Sequence, residues 1–189
     1  MDGRVTRPWP KVKWTRAGQV ASLAGDNANL SEMMELPPAE AFARLRVDRP
    51  LEATHFIAHC LPRLDAVRWM ASCLSGMSAT NQARRLAARK AVNRWLAEPS
   101  DANRRLAYDA GDAAEFGTAE GCACLAVYFS GGSLAPPTQE QPVPAPPAAF
   151  GQALAGAVIM AALNDDPINM AARLAAALDA AEALAAGAA

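Results

Sequence analysis

Residues 61–74 read LPRLDAVRWMASCL, and their pattern predicts a helix at the centre of a bundle. Pro62 suits the first turn of a helix, because its missing N–H costs nothing there and its fixed φ is already helical. Apolar residues recur at helical spacing on two sides, as Leu64, Val67, Met70, Ala71 and Leu74 on one side and Ala66, Trp69, Cys73 and Met77 on the other. A helix that is apolar around most of its circumference packs against other helices on both flanks.

The composition indicates an all-α protein. The chain has 189 residues, which suits one domain, and 52% of them are hydrophobic although only 6% are aromatic. Alanine is the largest single part of this apolar fraction, and it is the best helix former and a poor strand former. We therefore predict a compact single-domain bundle of seven or eight helices, with residues 62–77 and 119–129 at its centre.

Capping residues and prolines divide the chain into an arm and a helical domain. The predicted helices start at or beside Pro38, Pro50, Pro62, Thr80, Ser100, Ala119, Ala148 and Pro167, with Asp48 as the cap before Pro50. Leu106 and Tyr108 are expected to supply the apolar contacts of the helix after Ser100. The helical domain is predicted to span residues 37–189 and to include a Pro-rich connector at 136–147. Residues 1–36 are predicted to form a basic and aromatic arm without a helical period, with a turn at Gly25-Asp26-Asn27.

Charge and cysteine content limit the class of partner and the compartment. Eighteen basic and nineteen acidic residues give a net charge of -1, which argues against a nucleic-acid binder. Four cysteines are too few for a secreted disulfide scaffold, so we expect reduced thiols and a cytoplasmic location. The N-terminus has no apolar run, which predicts no signal peptide. The most apolar run, residues 148–163, is too short to span a bilayer, so no membrane insertion is expected.

The arm and the connector hold the candidate partner-binding residues. Trp9, Lys11, Lys13 and Trp14 fall close together in the arm, and indoles beside cations are common at binding surfaces. An alternative interpretation is that the two indoles pin the arm to the bundle. In the connector the candidates are Pro142 and Pro144. That segment can act as a loop strapped across the surface or as a docking peptide for a Pro-reading domain.

Several residues could in principle support metal or phosphate chemistry. His55 and His59 lie one helical turn apart and could chelate a metal with a cysteine, and Asp109 and Asp112 have the spacing of magnesium-binding carboxylates. A packed histidine and a solvated acidic face explain the same residues. The Ser130–Ser133 run SGGS follows a helix instead of preceding one, so we interpret it as a helix cap and not as a phosphate site. No nucleophile elbow, Walker loop or dinucleotide fingerprint is present in the sequence. We expect no catalytic site, no metal and no cofactor.

Three blocks of the sequence resemble an uncharacterised bacterial family of all-helical proteins. The blocks have the patterns LPRxxAVxW from Leu61, WLxxPSxxNRR from Trp95 and SGGSLAPP from Ser130. The resemblance covers roughly residues 50–165, and Met70 departs from it at a position where alanine or a second bulky residue is more usual. It implies a role as an accessory protein encoded near type VI secretion-like gene clusters, and it brings no assigned activity.

These observations predict a non-catalytic interaction or accessory module of the bacterial cytoplasm, with a protein partner and a possible link to a secretion apparatus. Two alternatives remain. One is a metal-dependent helical hydrolase that uses His55, His59, Asp109 and Asp112. The other is a small-ligand sensor with a pocket beside Trp69.

Overall fold

The computed structural model describes residues 8–24, 30–77, 82–164 and 166–188, and this part of the chain is helical. The helices are α1 (Ala17–Ala24), α2 (Pro38–Asp48), α3 (Pro50–Cys60), α4 (Arg63–Ser75), α5 (Ala83–Ala97), α6 (Asp101–Ala113), α7 (Ala119–Phe129), α8 (Ala149–Leu163) and α9 (Met170–Ala185). A single 3-10 turn, Pro167–Asn169, precedes α9. The predicted all-α class is therefore confirmed. In the described residues, no helix combines the length and apolarity that crossing a membrane requires.

The helix predicted from residues 61–74 lies in the core as expected. Ala66, Val67, Trp69, Met70 and Leu74 of α4 are buried. The indole N–H of Trp69 donates to the carbonyl oxygen of Ala177 on α9 at 2.8 Å. Helix α4 packs against α5, α7, α8 and α9, and α7 packs against α5, α6 and α8. Helix α8 shares the centre with them, since it also contacts α3 and α9.

Helix α1 is an element of the arm that the sequence did not predict. Its apolar pattern is too short to show a period, because the helix has only eight residues. Its first turn is fixed by the side chain of Gln19, whose Oε1 accepts hydrogen bonds from the backbone N–H groups of Thr15 and Arg16 at 2.9 and 3.1 Å. Ala17 donates to the carbonyl of Leu36 at 2.9 Å. A helix this short is not stable in isolation, so contacts with the rest of the protein stabilise it.

Several predicted helix ends differ from the observed ones. Pro62 is the residue before α4 and not part of its first turn, and Asp48 ends α2 so that Arg49 stands at the cap of α3. Ser100 caps α6 as predicted, accepting from the N–H of Asn103 at 3.2 Å. The predicted cap Thr80 and the predicted turn Gly25-Asp26-Asn27 lie outside the described residues.

The apolar contacts predicted for α6 are confirmed in part, since the ring of Tyr108 lies 4.5 Å from that of Tyr128 and 5.4 Å from that of Phe116. Leu106 and Tyr108 are exposed by 46% and 38% of their surface. The buried face of this helix consists of Asn103, Arg104, Ala107 and Gly111. The sequence prediction assumed that apolar residues face the core and polar residues face solvent, and Asn103 and Arg104 do not follow this rule. Both side chains form hydrogen bonds inside the protein.

The Pro-rich connector forms a loop that closes on itself. Ser133 and Pro144 form an isolated antiparallel bridge, in which the N–H of Leu134 donates to the carbonyl of Val143 at 2.7 Å. The N–H of Val143 in turn donates to Oγ of Ser133 at 2.9 Å. Between these contacts Ala135 is buried and residues 136–142 are exposed, so the loop is fixed at its base and open to solvent beyond it.

Candidate docking groove

Both indoles of the arm attach it to the bundle. Trp9 is 8% exposed and packs on the ring of Phe42, with centroids 5.2 Å apart. The indole N–H of Trp14 donates to the carbonyl oxygen of His59, at the end of α3, at 3.1 Å. Trp9 was a partner-binding candidate on sequence grounds. The structure instead places it in the core, because its ring fills space beside Phe42.

The other three arm candidates come together in an open cavity, which we call the arm groove. Lys11, Lys13 and Trp14 line it from the arm, and the segment around Pro62 and Arg63 lines it from the α3–α4 junction. Pro147 and Phe150, at the start of α8, complete the wall. Its volume is about 450 Å³. The groove thus joins residues that are far apart in the sequence, at the place where the arm crosses the bundle.

The cations of the arm groove are held against aromatic rings. The ammonium of Lys13 lies 4.3 Å from the centroid of the Trp14 ring. The guanidinium of Arg63 lies 5.6 Å from the centroid of the Phe150 ring, and it also donates to the carbonyl oxygen of Ser130. Lys11 forms an ion pair with Asp65 at 3.6 Å. Aromatic faces attract cations through their quadrupole, so these contacts orient the positive charge of the groove.

His59 borders the arm groove, but its ring is packed tightly. Its Nδ1 lies 2.8 Å from the carbonyl oxygen of His55, and its buried Nε2 has no hydrogen-bond partner among the described residues. A Cβ at Gly151 would lie 2.4 Å from that Nε2, so only glycine lets α8 approach the ring this closely. Burial, together with the charge of His59, lowers the pKa of His55.

The candidate metal ligands do not come together. Nε2 of His59 is buried and its Nδ1 is hydrogen-bonded to the carbonyl oxygen of His55, while Asp109 and Asp112 are exposed on α6. Across residues 8–24, 30–77, 82–164 and 166–188, no three side chains of the His, Cys, Asp and Glu types are arranged to hold a metal ion. The ring of His59 is packed against α8 at Gly151.

The four cysteines are free thiols whose burial opposes ionisation. Burial raises the pKa of Cys73 and of Cys122 to about 11, and that of Cys124 to about 12. The pKa of Cys60 is also raised well above its ordinary value by burial. The thiolate is the reactive form, so little of it exists at neutral pH.

We expect a thiol reagent such as Ellman's to label the native protein at pH 8 about a hundredfold more slowly than it labels an ordinary cysteine. The released chromophore measures the rate. The same protein in guanidinium chloride is the control, and all four thiols should react there at once. Rapid labelling of even one thiol in the native protein would contradict this shielding, in which Cys60 and Cys124 are buried and Cys73 and Cys122 are half-buried.

A buried arginine that the sequence did not single out fixes the turn after α7. Arg104 is 3% exposed, and it donates to the carbonyl oxygens of Tyr128 and Ser133 at 2.8 and 2.7 Å. Its charge is balanced by Asp101 at 2.6 Å. Hydrogen bonds from Arg105 and from Arg104 lower the pKa of Asp101.

The same turn joins the three sequence blocks quoted above. Arg105 donates to the carbonyl of Ala135 at 2.8 Å, and Arg63 donates to that of Ser130. Gly132 adopts a φ of 68°, and a Cβ there would lie 3.0 Å from Nε of Arg104. The blocks that begin at Leu61, Trp95 and Ser130 therefore meet at residues 130–135. Pro142 and Pro144 are exposed on the loop that starts from this turn.

A second cavity lies between α4, α8 and α9. Its volume is about 250 Å³, and its lining includes Cys73, Val158, Arg173 and Ala177. The carbonyl of Ala177 is the one that accepts the indole N–H of Trp69. Arg173 donates to the carbonyl oxygen of Asp166 at 2.7 Å, while its buried Nε has no partner among the described residues.

Comparisons with known proteins identify a family for this chain but no activity. Neither the curated proteins nor the solved structures include a match to this chain. A family model matches residues 41–185, from within α2 to the end of α9. The match contains Arg63, Pro147 and Phe150 of the arm groove, whereas Lys11, Lys13 and Trp14 precede it. The chain therefore belongs to the family of unknown function DUF6931.

Proposed function

We propose that this chain is a non-catalytic interaction module that binds a protein partner in the arm groove. The observation that carries the proposal is the gathering of Lys11, Lys13 and Trp14 with Arg63 and Phe150 around one open cavity. Its volume of about 450 Å³ lies within the range of binding clefts, which are mostly apolar and have a few polar groups that orient the ligand. Aromatic residues and arginine are also the side chains that dominate binding energy at interfaces.

Several other arginines are engaged in holding the fold. Arg85 and Arg89 bind the buried carboxylate of Glu120, and Arg46 pairs with Asp179 and Glu182. Arg104 and Arg105 hold the turn at 130–135. The arm groove differs from these clusters because Lys13 and Arg63 are exposed and have no carboxylate partner among the described residues.

The test is co-purification with the products of neighbouring genes, using the full chain and two charge reversals. Lys13→Glu changes the groove, and Lys90→Glu is the matched control, because Lys90 is exposed on α5 away from the groove. We expect at least one product to be retained by the control and lost by Lys13→Glu. Retention of every partner by both variants, or binding of none by the unmodified chain, would contradict the proposal.

A bacterial cytoplasmic setting and a link to a secretion apparatus belong to the same proposal. The three blocks that resemble family members near type VI secretion-like clusters support the link, and the buried free thiols support a reducing compartment. The partner is then encoded in such a cluster. A retained partner that comes from an unrelated operon would overturn this part alone.

A second candidate function is a small-ligand sensor, favoured by the cavity between α4, α8 and α9. Its lining is largely apolar, and the guanidinium of Arg173 lies at its border. A thermal-shift screen with small carboxylic acids tests it, and Arg173→Gln should remove any rise in melting temperature. If no acid raises the melting temperature, the sensor function is excluded for that ligand class.

A further inference from the structure

We infer that the occupant of the arm groove is an acidic segment of the partner protein, with carboxylates facing Lys13 and Arg63 and an apolar side chain between Trp14 and Phe150. The inference rests on the proposed function and names the chemistry of the partner.

The first step is the charge of the groove. Among the described residues, its lining includes three cationic side chains, Lys11, Lys13 and Arg63, and no aspartate or glutamate. The whole chain has a net charge of -1, so this positive charge is a local concentration. A cleft lined by charge of one sign raises the local concentration of ligands of the opposite sign.

The second step is that, within the described ranges, two of these cations have no carboxylate partner. Lys11 is paired with Asp65. In contrast, Lys13 and Arg63 make no ion pair with any carboxylate in the part of the chain that the structure describes; their contacts are the rings of Trp14 and Phe150 and the carbonyl oxygen of Ser130. Hydrogen bonds between such cations and a carboxylate are about twice as strong as those between neutral groups. An acidic ligand therefore gains bonds that the protein does not already make.

The third step separates a protein segment from a nucleic acid. Nucleic acids are bound by cations spaced along the path of the phosphate backbone, whereas these three converge on one cavity. On α5, the helix richest in arginine, Arg85 and Arg89 are bound to Glu120, and the exposed cations Arg84, Lys90 and Arg94 do not line the cavity. The apolar walls of Trp14 and Phe150 instead suit a hydrophobic side chain between acidic neighbours.

The experiment measures fluorescence anisotropy of labelled peptides with the full chain. One peptide consists of glutamate and aspartate around a central leucine, and the control peptide has glutamine and asparagine in place of the acids. We expect the acidic peptide to bind about tenfold more tightly, and to lose that advantage at high salt because salt screens exposed charges. Lys13→Glu and Arg63→Gln should each weaken it about tenfold, while Lys90→Glu leaves it unchanged.

Several results would overturn the inference. They are equal binding of the two peptides, no binding of the acidic peptide at millimolar concentration, unchanged binding by Lys13→Glu, or equally tight binding of oligothymidylate. The proposed docking function and the acidic occupant can be contradicted independently of each other. If a neighbouring gene product depends on Lys13 but is insensitive to salt and to competing acidic peptide, the docking function stands and the acidic occupant is wrong. If the acidic peptide binds but no gene product depends on the groove, the proposed function is wrong.

Discussion

Replacement of Gly121 by alanine is expected to destabilise the protein by more than about 3 kcal/mol, which is beyond the usual cost of overpacking. Gly121 lies in the first turn of α7, where the chain passes directly over the end of α6. An added Cβ would lie 2.1 Å from the carbonyl oxygen of Glu115 and 2.7 Å from its carbonyl carbon. Both atoms belong to the backbone, so no change of rotamer can relieve the contact.

Gly117→Ala is the matched control, because a Cβ at Gly117 meets nothing within 4 Å. The measurement is the guanidinium-chloride midpoint of each variant, followed by far-UV circular dichroism. We expect the control to match the unmodified protein within about 1 kcal/mol, since glycine-to-alanine changes at open sites act mainly on the unfolded chain. Equal midpoints for Gly121→Ala and Gly117→Ala would show that α6 and α7 do not approach as closely as described.

The helices that could be predicted are those whose own residues carry the signal. The period of apolar residues in 61–77 identified the buried faces of α4, and α7 has the predicted limits because Thr118 caps it and its interior is apolar. The stripe of Ala88, Val92 and Trp95 on α5 is buried for the same reason. Local spacing is enough where a helix faces the core with apolar atoms.

The charged interior could not be predicted in the same way. The pattern indicates that position 120 lies inside, but it gives no sign that two arginines of α5 reach it. The structure shows Arg85 and Arg89 bound to Glu120. Likewise, Arg104 occupies a buried helix position only because carbonyl groups of a turn distant in sequence accept its hydrogen bonds.

The candidate site was predicted in part. Lys11, Lys13 and Trp14 were identified from their proximity in sequence, and they line the arm groove. Arg63 and Phe150 were not identified, because they reach the groove only through the packing of α4 and α8 against the arm. Trp9 was identified in the same way but lies in the core. A tryptophan near cations in the sequence can be either buried or exposed, so proximity in sequence does not decide between the two.

Glu120→Ala is expected to cost about 3–5 kcal/mol of unfolding free energy, the range for removing one partner of a buried ion pair. The Glu120 side chain is fully buried, and its two oxygens accept from Arg85 at 2.8 Å and from Arg89 at 2.8 and 3.0 Å. The variant leaves two mostly buried guanidinium groups without a counter-charge. Urea denaturation measures the loss. The control is Asp109→Ala, which removes an exposed carboxylate of α6, and its unfolding free energy should stay within about 0.5 kcal/mol of that of the unmodified protein.

The pH dependence separates the charge of Glu120 from its packing. Burial raises the pKa of this carboxyl, but hydrogen bonds from Arg85 and Arg89 outweigh burial, so the pKa lies below its ordinary value of 4.5. Since the unfolded chain then binds the proton more readily, the stability that this group contributes is complete above pH 4.5 and is lost as the pH falls through the lowered pKa. Glu120→Gln keeps the shape of the side chain and removes this contribution. The difference in unfolding free energy between the unmodified protein and Glu120→Gln should therefore be largest at pH 7 and shrink toward pH 3. If this difference stays constant with pH, the carboxylate is not ionised between the arginines.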